Sequence, residues 1–296
     1  MESLEFGVNL FSCPPPAEFA ELVRRVDALG VDVLAAPDHL GAASPFAVLV
    51  AAGGVSDRLR LRTYVLNAGF WNAALLAREV ATADVLTGGR IEVGIGAGHM
   101  RSEHDDAGLP WHDHAGRVAA MTDLVADLRR RLADPAMAPR PVQEPVPVMI
   151  GAMSERALDV AAREAEIVGL AGLRQVRGQR MGTFTVVSAE ETDRRVAEVR
   201  ERAAGRSYRT DLLLQNVVVD REPEAAAREF AAAVGDRITV AELLDTPFVL
   251  FAPSAAEAAE ELERRRVRYG LTSVTTHEPS MTALGEVLAA HRSGAS

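Results

Sequence analysis

Apolar residues along this chain fall into short runs whose spacing changes from one block to the next. The segments LEFGVNL (4–10), VDVLAA (31–36), LRLRTYVL (59–66), RIEVGI (90–95), VPVMI (146–150), EIVGLA (166–171), DLLLQNVVV (211–219) and LTSVTT (271–276) are alternating or continuous apolar runs. Runs of this length bounded by turn residues read as strands. Between them the apolar spacing becomes helical. Phe19, Leu22, Val23, Val26 and Leu29 share one helix face, and Gly30 stops that helix. Further helices are expected at 45–56, 73–86, 114–133 and 154–164. Ser188–Glu191 and Ser254–Glu257 have the spacing of capping boxes opening two more, the second ending near Gly270.

Eight strands, each returning through a helix, predict an α/β fold of the (β/α)8 TIM-barrel type. Residues 220–251 do not suit one crossover helix and read as a helical insertion before the last βα unit. Residues 134–147 are Pro-rich and read as a loop. A length of 296 residues suits one large barrel or two ordinary domains. No segment looks like an interdomain linker, so a single domain over 1–296 is expected.

Composition narrows the chemistry. A hydrophobic content of 48% is ample for a core, and no apolar run reaches the ~18 residues of a membrane span. The strand-like run LEFGVNL begins almost at once, so no signal peptide is expected. The lone Cys13 excludes an internal disulfide framework and suits a reducing, cytoplasmic setting. A net charge of −10 argues against a general nucleic-acid binder, which needs a positive surface for phosphates. All 32 basic residues are arginine. Without lysine, Schiff-base catalysis and a Walker-type phosphate lysine are both excluded.

Candidate chemistry gathers at the carboxyl ends of the strands, where α/β barrels keep their active sites. Asp38 and His39 follow the second strand in APDHL, and an imidazole titrating near neutrality suits proton transfer there. A loop histidine merely held by Asp38 is the plainer reading. Gly94, Gly96 and Gly98 close the fourth strand directly before His99, Arg101, Glu103 and His104. Glycines there suggest close approach of a planar ligand to the backbone. The run is not a dinucleotide fingerprint, because its third required position is His99. Gly151–Ala152–Met153–Ser154 leads into a helix, whose free N–H groups form a ready anion site, although Ser154 as an ordinary N-cap explains the same residues. His99, His104, His112 and His114 lack metal-ligand spacing, so no metal is expected.

Taken in order, GVDVLAAPDHL, LRLRTYVLNAGFWNAALLAREVATADVLTGGRIEVGIGAG, PVQEPVPVMIGAMSERALDVAAREAEIVGLAG and VLFAPSAAEAAEELERRRVRYG resemble the bacterial luciferase-like superfamily, and within it the branch using the deazaflavin coenzyme F420. The resemblance runs over nearly the whole chain. It implies a (β/α)8 barrel with an insertion before the last strand, and hydride transfer between C5 of the deazaflavin and a small organic substrate, in the direction of F420H2-dependent reduction. His39 then lies near C5 as proton donor or acceptor with Asp38 as its orienter. A non-prolyl cis peptide is implied at Tyr64–Val65, pressing on the cofactor ring, with Asn67 at the ring edge. Gly96, Ala97, Gly98 and His99 would line the cofactor, and Gly151, Ala152, Met153 and Ser154 would hold its phosphate. Some relatives carry a glutamate where this chain has His99, so the second acid falls to His99 or Glu103. Where some relatives place lysine on the phosphate, Arg174 or Arg177 is expected. Two rival functions share the scaffold: an FMN-dependent monooxygenase using reduced flavin and dioxygen, and a non-catalytic flavin-binding protein. Phe11, Phe70, Trp71 and Trp111 are expected to build an apolar substrate pocket, and the resemblance implies a homodimer.

Overall fold

The computed structural model describes residues 3–175, 184–235 and 237–294. Strand and helix alternate from the start: β1 (Glu5–Asn9), α1 (Pro16–Ala28), β2 (Val33–Ala36), α2 (Pro45–Gly53) and β3 (Arg60–Thr63). After β3 the chain passes a cis Tyr64–Val65 peptide and resumes as the short β4 (Leu66–Asn67). Then come α3 (Ala73–Leu86), β5 (Ile91–Gly96), α4 (Arg101–Asp106), α5 (His114–Leu132), β6 (Val148–Gly151), α6 (Glu155–Glu164) and β7 (Ile167–Leu170). A hairpin, β8 (Leu173–Gln175) and β9 (Phe184–Val186), precedes α7 (Ala189–Arg202) and β10 (Arg209–Leu214). The last third holds β11 (Asn216–Val218), α8 (Pro223–Ala233), α9 (Val240–Asp245), β12 (Val249–Phe251), α10 (Ala255–Tyr269), β13 (Ser273–His277) and α11 (Met281–Gly294).

Eight strands close a parallel barrel in the order β1–β2–β3–β5–β6–β7–β10–β13 and back to β1. The pleat explains the sequence pattern. Leu34, Ile150, Val168 and Leu212 point outward into the core shared with the helices. Their neighbours Ala35, Met149, Ile167 and Leu213 point inward and meet Tyr64 and Val65. Successive side chains on a strand take opposite faces, and both faces are buried, so the runs look nearly continuous.

One interior layer is polar. Arg62, fully buried, donates to Glu92 (2.7 Å) and to Asp211 (3.1 Å). Asp211 also accepts from Tyr64 Oη (2.6 Å) and Thr275 Oγ1 (2.9 Å). Burial pushes the Glu92 carboxyl up, but the guanidinium groups of Arg62, Arg209 and Arg60 outweigh it and bring it down to about 2. This network of ion pairs and hydrogen bonds floors the barrel and fixes Tyr64, the residue that leads into the bulge at Val65.

Three local expectations need correction. The 220–251 insertion is helical in α8 and α9, but β11 and β12 pair in parallel beside it, so the run 211–219 divides between the barrel and this small sheet. The β8–β9 hairpin has no counterpart among the expected elements. Ser188 and Ser254 do cap α7 and α10, accepting from Glu191 N (3.1 Å) and Glu257 N (3.2 Å). Glu191, however, turns to Arg174 and Arg195, and Glu257 accepts from the Ser254 hydroxyl. The reciprocal box lies at Thr239–Glu242. Among the described residues no helix is long and apolar enough to cross a membrane.

Candidate active site

The carboxyl ends of the barrel strands open into a cavity of about 1410 Å3. His39, three residues beyond β2, stands on its wall. Its Nδ1 lies 2.8 Å from Oε1 of Glu103, a buried side chain on α4. A carboxylate accepts, so Nδ1 carries the proton and Nε2 is the nitrogen free to exchange one with a bound molecule. The expected orienter was Asp38. It faces elsewhere, its Oδ2 accepting from the Asn67 backbone N–H (3.1 Å) and from Trp71 Nε1 (2.9 Å). Burial pushes the Asp38 carboxyl up, and these two donors oppose that. Asp38 thus ties β2 to the β4 segment, while Glu103, four residues after His99, holds the imidazole.

The glycines at the end of β5 have a physical reason within the chain itself. A Cβ at Gly96 would lie 2.8 Å from Val65 Cγ2, and one at Gly151 would lie 3.2 Å from Val65 Cγ1. At Gly94 it would meet the Thr63 carbonyl oxygen at 2.1 Å. Gly98 has φ +74°, and its Cβ would strike the Asn67 amide at 2.3 Å. The small residues therefore make room for the chain's own bulge at Val65 and for Asn67. Val65, with Tyr64 and Met149, then forms the apolar wall of the cavity.

Asn67 is held from a residue the site prediction passed over. Its Nδ2 donates to Nε2 of buried His104 (3.2 Å), whose Nδ1 donates to the Pro110 carbonyl (3.1 Å). The carbonyl can only accept, so His104 is the neutral Nδ1–H tautomer. Phe70 packs on the His104 ring and Trp71 packs edge-on against Phe46. Neither lines the cavity, unlike Phe11 and Trp111, which do. Trp111 lies beneath the guanidinium of Arg117, 3.9 Å from the ring centroid. His99 sits edge-on between His39 and Phe184, with centroids 5.6 and 5.5 Å away. Desolvation in the cavity, and next the His39 charge, push its pKa below the ordinary histidine value.

Also on the cavity wall, Gly151–Ser154 forms the turn into α6, with Ser154 Oγ accepting from Ala157 N (3.3 Å). Glu155 is drawn aside by Arg202 (3.0 Å), which relieves the negative charge at this helix start. Arg174 and Arg195 line the cavity here, each paired with Glu191. Arg177 lies outside the described residues.

One polar group on the wall was not foreseen at all. Asn9, Gln215 and His277 come from β1, the residue after β10, and β13, an arc of the barrel away from the strands that carry the glycines and the bulge. Burial brings the His277 pKa down to about 4. Position alone could have found Asn9 and His277, since each ends a barrel strand.

The volume exceeds the ~300–1,000 Å3 typical of a single small-ligand site. An apolar wall, a proton-exchanging pair and a helix start flanked by arginines match the ring, the reacting edge and the anionic tail of a flavin-like cofactor. Tyr64, Val65, Asn67 and Ala97 would take the ring, with Gly151–Ser154 and Arg174 at the tail. Among the described residues no three His, Cys, Asp or Glu side chains are grouped to hold a metal ion.

Comparison with known proteins places the chain in a family. An F420-dependent glucose-6-phosphate dehydrogenase of Kribbella flavida is 28% identical over 235 residues, covering 71% of this chain and 67% of that protein. An FMNH2-dependent dimethylsulfone monooxygenase of Pseudomonas putida is 26% identical over 194 residues, covering 60% of this chain. That match spans about half of the monooxygenase, 49% of its length. Among solved structures, an F420-dependent secondary alcohol dehydrogenase in complex with an F420-acetone adduct superposes with a TM-score of 0.77 at 15% identity. It covers 99% of this chain and 100% of that one. The profile of the luciferase-like monooxygenase family matches residues 4–291, and the chain belongs to that family of flavin- or F420-dependent oxidoreductases.

Proposed function

We propose that this protein is a coenzyme F420-dependent oxidoreductase acting on a small organic carbonyl or alcohol, in the direction of F420H2-dependent reduction. The deazaflavin, when bound, is the hydride carrier. The chain supplies position and protons. Val65 and Met149 offer an apolar wall to a planar ring, and the α6 start with Arg174 offers an anion site to its tail. With Nδ1–H kept on Glu103, His39 Nε2 takes up a proton from solvent, and the resulting imidazolium delivers it to the substrate oxygen as a carbonyl becomes a hydroxyl; in reverse the neutral Nε2 accepts it. Glu103 fixes the imidazole by its 2.8 Å contact, so the ring presents one nitrogen in one orientation. His99 packs edge-on against the His39 ring.

The His39–Glu103 pair on the cavity wall is the observation that supports this reading most. General acid–base catalysis contributes about 10²–10⁴-fold, so His39→Ala should lower kcat by that range while F420 affinity stays within about twofold. Unchanged turnover would remove His39 from the mechanism. Dioxygen uptake with reduced FMN during turnover would instead establish the monooxygenase chemistry of the Pseudomonas putida relative.

A further inference from the structure

The hydrogen-bond directions in the Asn9–Gln215–His277 arc are fixed one after another. Gln215 Nε2 donates to the Ala171 carbonyl at 2.8 Å, which orients the amide and leaves Oε1 toward His277. That oxygen can only accept, so His277 Nε2, 3.3 Å away, carries the ring proton. His277 is neutral at ordinary pH, so its Nδ1 is a lone pair and takes Asn9 Nδ2 at 3.5 Å. Asn9 Oδ1 is then the amide atom left over, and it has no partner. Asn9 is 1% exposed, and an unpaired buried acceptor is costly unless something else satisfies it.

We propose that Asn9 is the substrate's polar anchor, its Oδ1 accepting a hydrogen bond from a neutral hydroxyl of the substrate. The inference rests on the reading of the cavity as a joint cofactor and substrate site. The residues suited to the cofactor ring lie on β3–β5 and in the loops that follow them, with the tail at the turn after β6 and Arg174 of β8, whereas Asn9, Gln215 and His277 stand on another arc beside Phe11, whose ring meets His277 at 5.3 Å. The groups of this arc are uncharged, with His277 kept neutral by burial and set between two amides. The matching substrate is therefore an uncharged alcohol, or the hydroxyl-bearing product of a carbonyl reduction, with its apolar body against Phe11 and Leu213.

The test is a ligand-observed NMR titration of the cofactor-free protein with cyclohexanol and with cyclohexyl methyl ether, which share a ring but differ in the donor. Wild type should bind cyclohexanol about five- to tenfold more tightly, the worth of one hydrogen bond, and Asn9→Ala should bring the ratio below about twofold. Asn9→Ser serves if the alanine variant does not fold. Equal affinities in wild type, binding of neither compound, or a preference that survives in the variant overturns the proposal. A parallel F420 titration separates the sources. If Asn9→Ala weakens F420 and leaves the alcohol preference intact, the donor is an N–H of the cofactor ring and the substrate assignment fails. If wild type binds neither F420 nor FMN but shows an Asn9-dependent alcohol preference, the cofactor reading fails and the anchor stands.

Discussion

Replacing Gly96 with alanine separates two reasons for a glycine at the end of β5. Its φ lies outside the left-handed region, so alanine is acceptable to the backbone and the effect is one of packing. The new Cβ would sit 2.8 Å from Val65 Cγ2, about 1 Å inside the ~3.5–4.0 Å of an ordinary carbon–carbon contact. Val65 must move toward the cavity or the strands must part. Overpacking of this size costs about 1–3 kcal/mol, and each kcal/mol lowers Tm by about 2–4 °C in a chain of this class. Val65→Ala removes the opposing methyl and should recover most of the loss, giving a coupling of about 1–2 kcal/mol in a double-mutant cycle. The assay is denaturant unfolding of the cofactor-free wild type, both single variants and the double variant. Gly94→Ala cannot be rescued in this way, because its Cβ would meet a backbone oxygen at 2.1 Å. Unchanged stability in Gly96→Ala, with cofactor binding alone lost, would refute the reasoning and return the glycine to close ligand approach.

Two further outcomes follow from the same geometry. Glu103→Ala should lower kcat about 10- to 100-fold, since a hydrogen bond involving a charged group is worth about 1.5–3 kcal/mol, while Glu103→Gln, whose amide oxygen can still accept from His39 Nδ1, should recover part of it; equal losses in both would mean that orientation is not its role. Acid should weaken the fold in two stages, measured as unfolding free energy against pH. The unfolded His277 takes up its proton near 6.5 and the folded one only near 4, so stability is full above about 6.5 and falls as pH drops toward 4; His277→Gln should flatten this stage. The unfolded Glu92 protonates near 4.5 and the folded one near 2, so its share is full above about 4.5 and is lost toward 2. A profile flat from 7 to 4 in wild type would contradict the burial of His277.

What could be read without coordinates was set by local periodicity. All eight barrel strands declare themselves as apolar runs because both faces are buried, and α3, expected at 73–86, spans Ala73–Leu86. The β8–β9 hairpin is invisible because its strands are only three residues each and too short to show a period. His39 and Glu103 were legible as types in the right loops, but their pairing was not. Neighbours in sequence suggested Asp38, whereas the α4 turn brings Glu103 across 64 positions. The glycines were noticed, but their packing against Val65 was not legible, since what a Cβ would strike depends on a residue some thirty positions away in the chain. His104 and Gln215 were missed for the same reason, as their roles consist of hydrogen bonds to Asn67 and His277.

The central claim is that the cavity takes a deazaflavin, and it is tested most directly by titrating the purified protein with coenzyme F420 and separately with FMN, following cofactor fluorescence. The account predicts saturable F420 binding, retained in His39→Ala, with FMN binding far weaker or not at all. Saturable binding of FMN alone would contradict it and place this chain with the FMNH2-dependent monooxygenases, and binding of neither would remove the cofactor from the site.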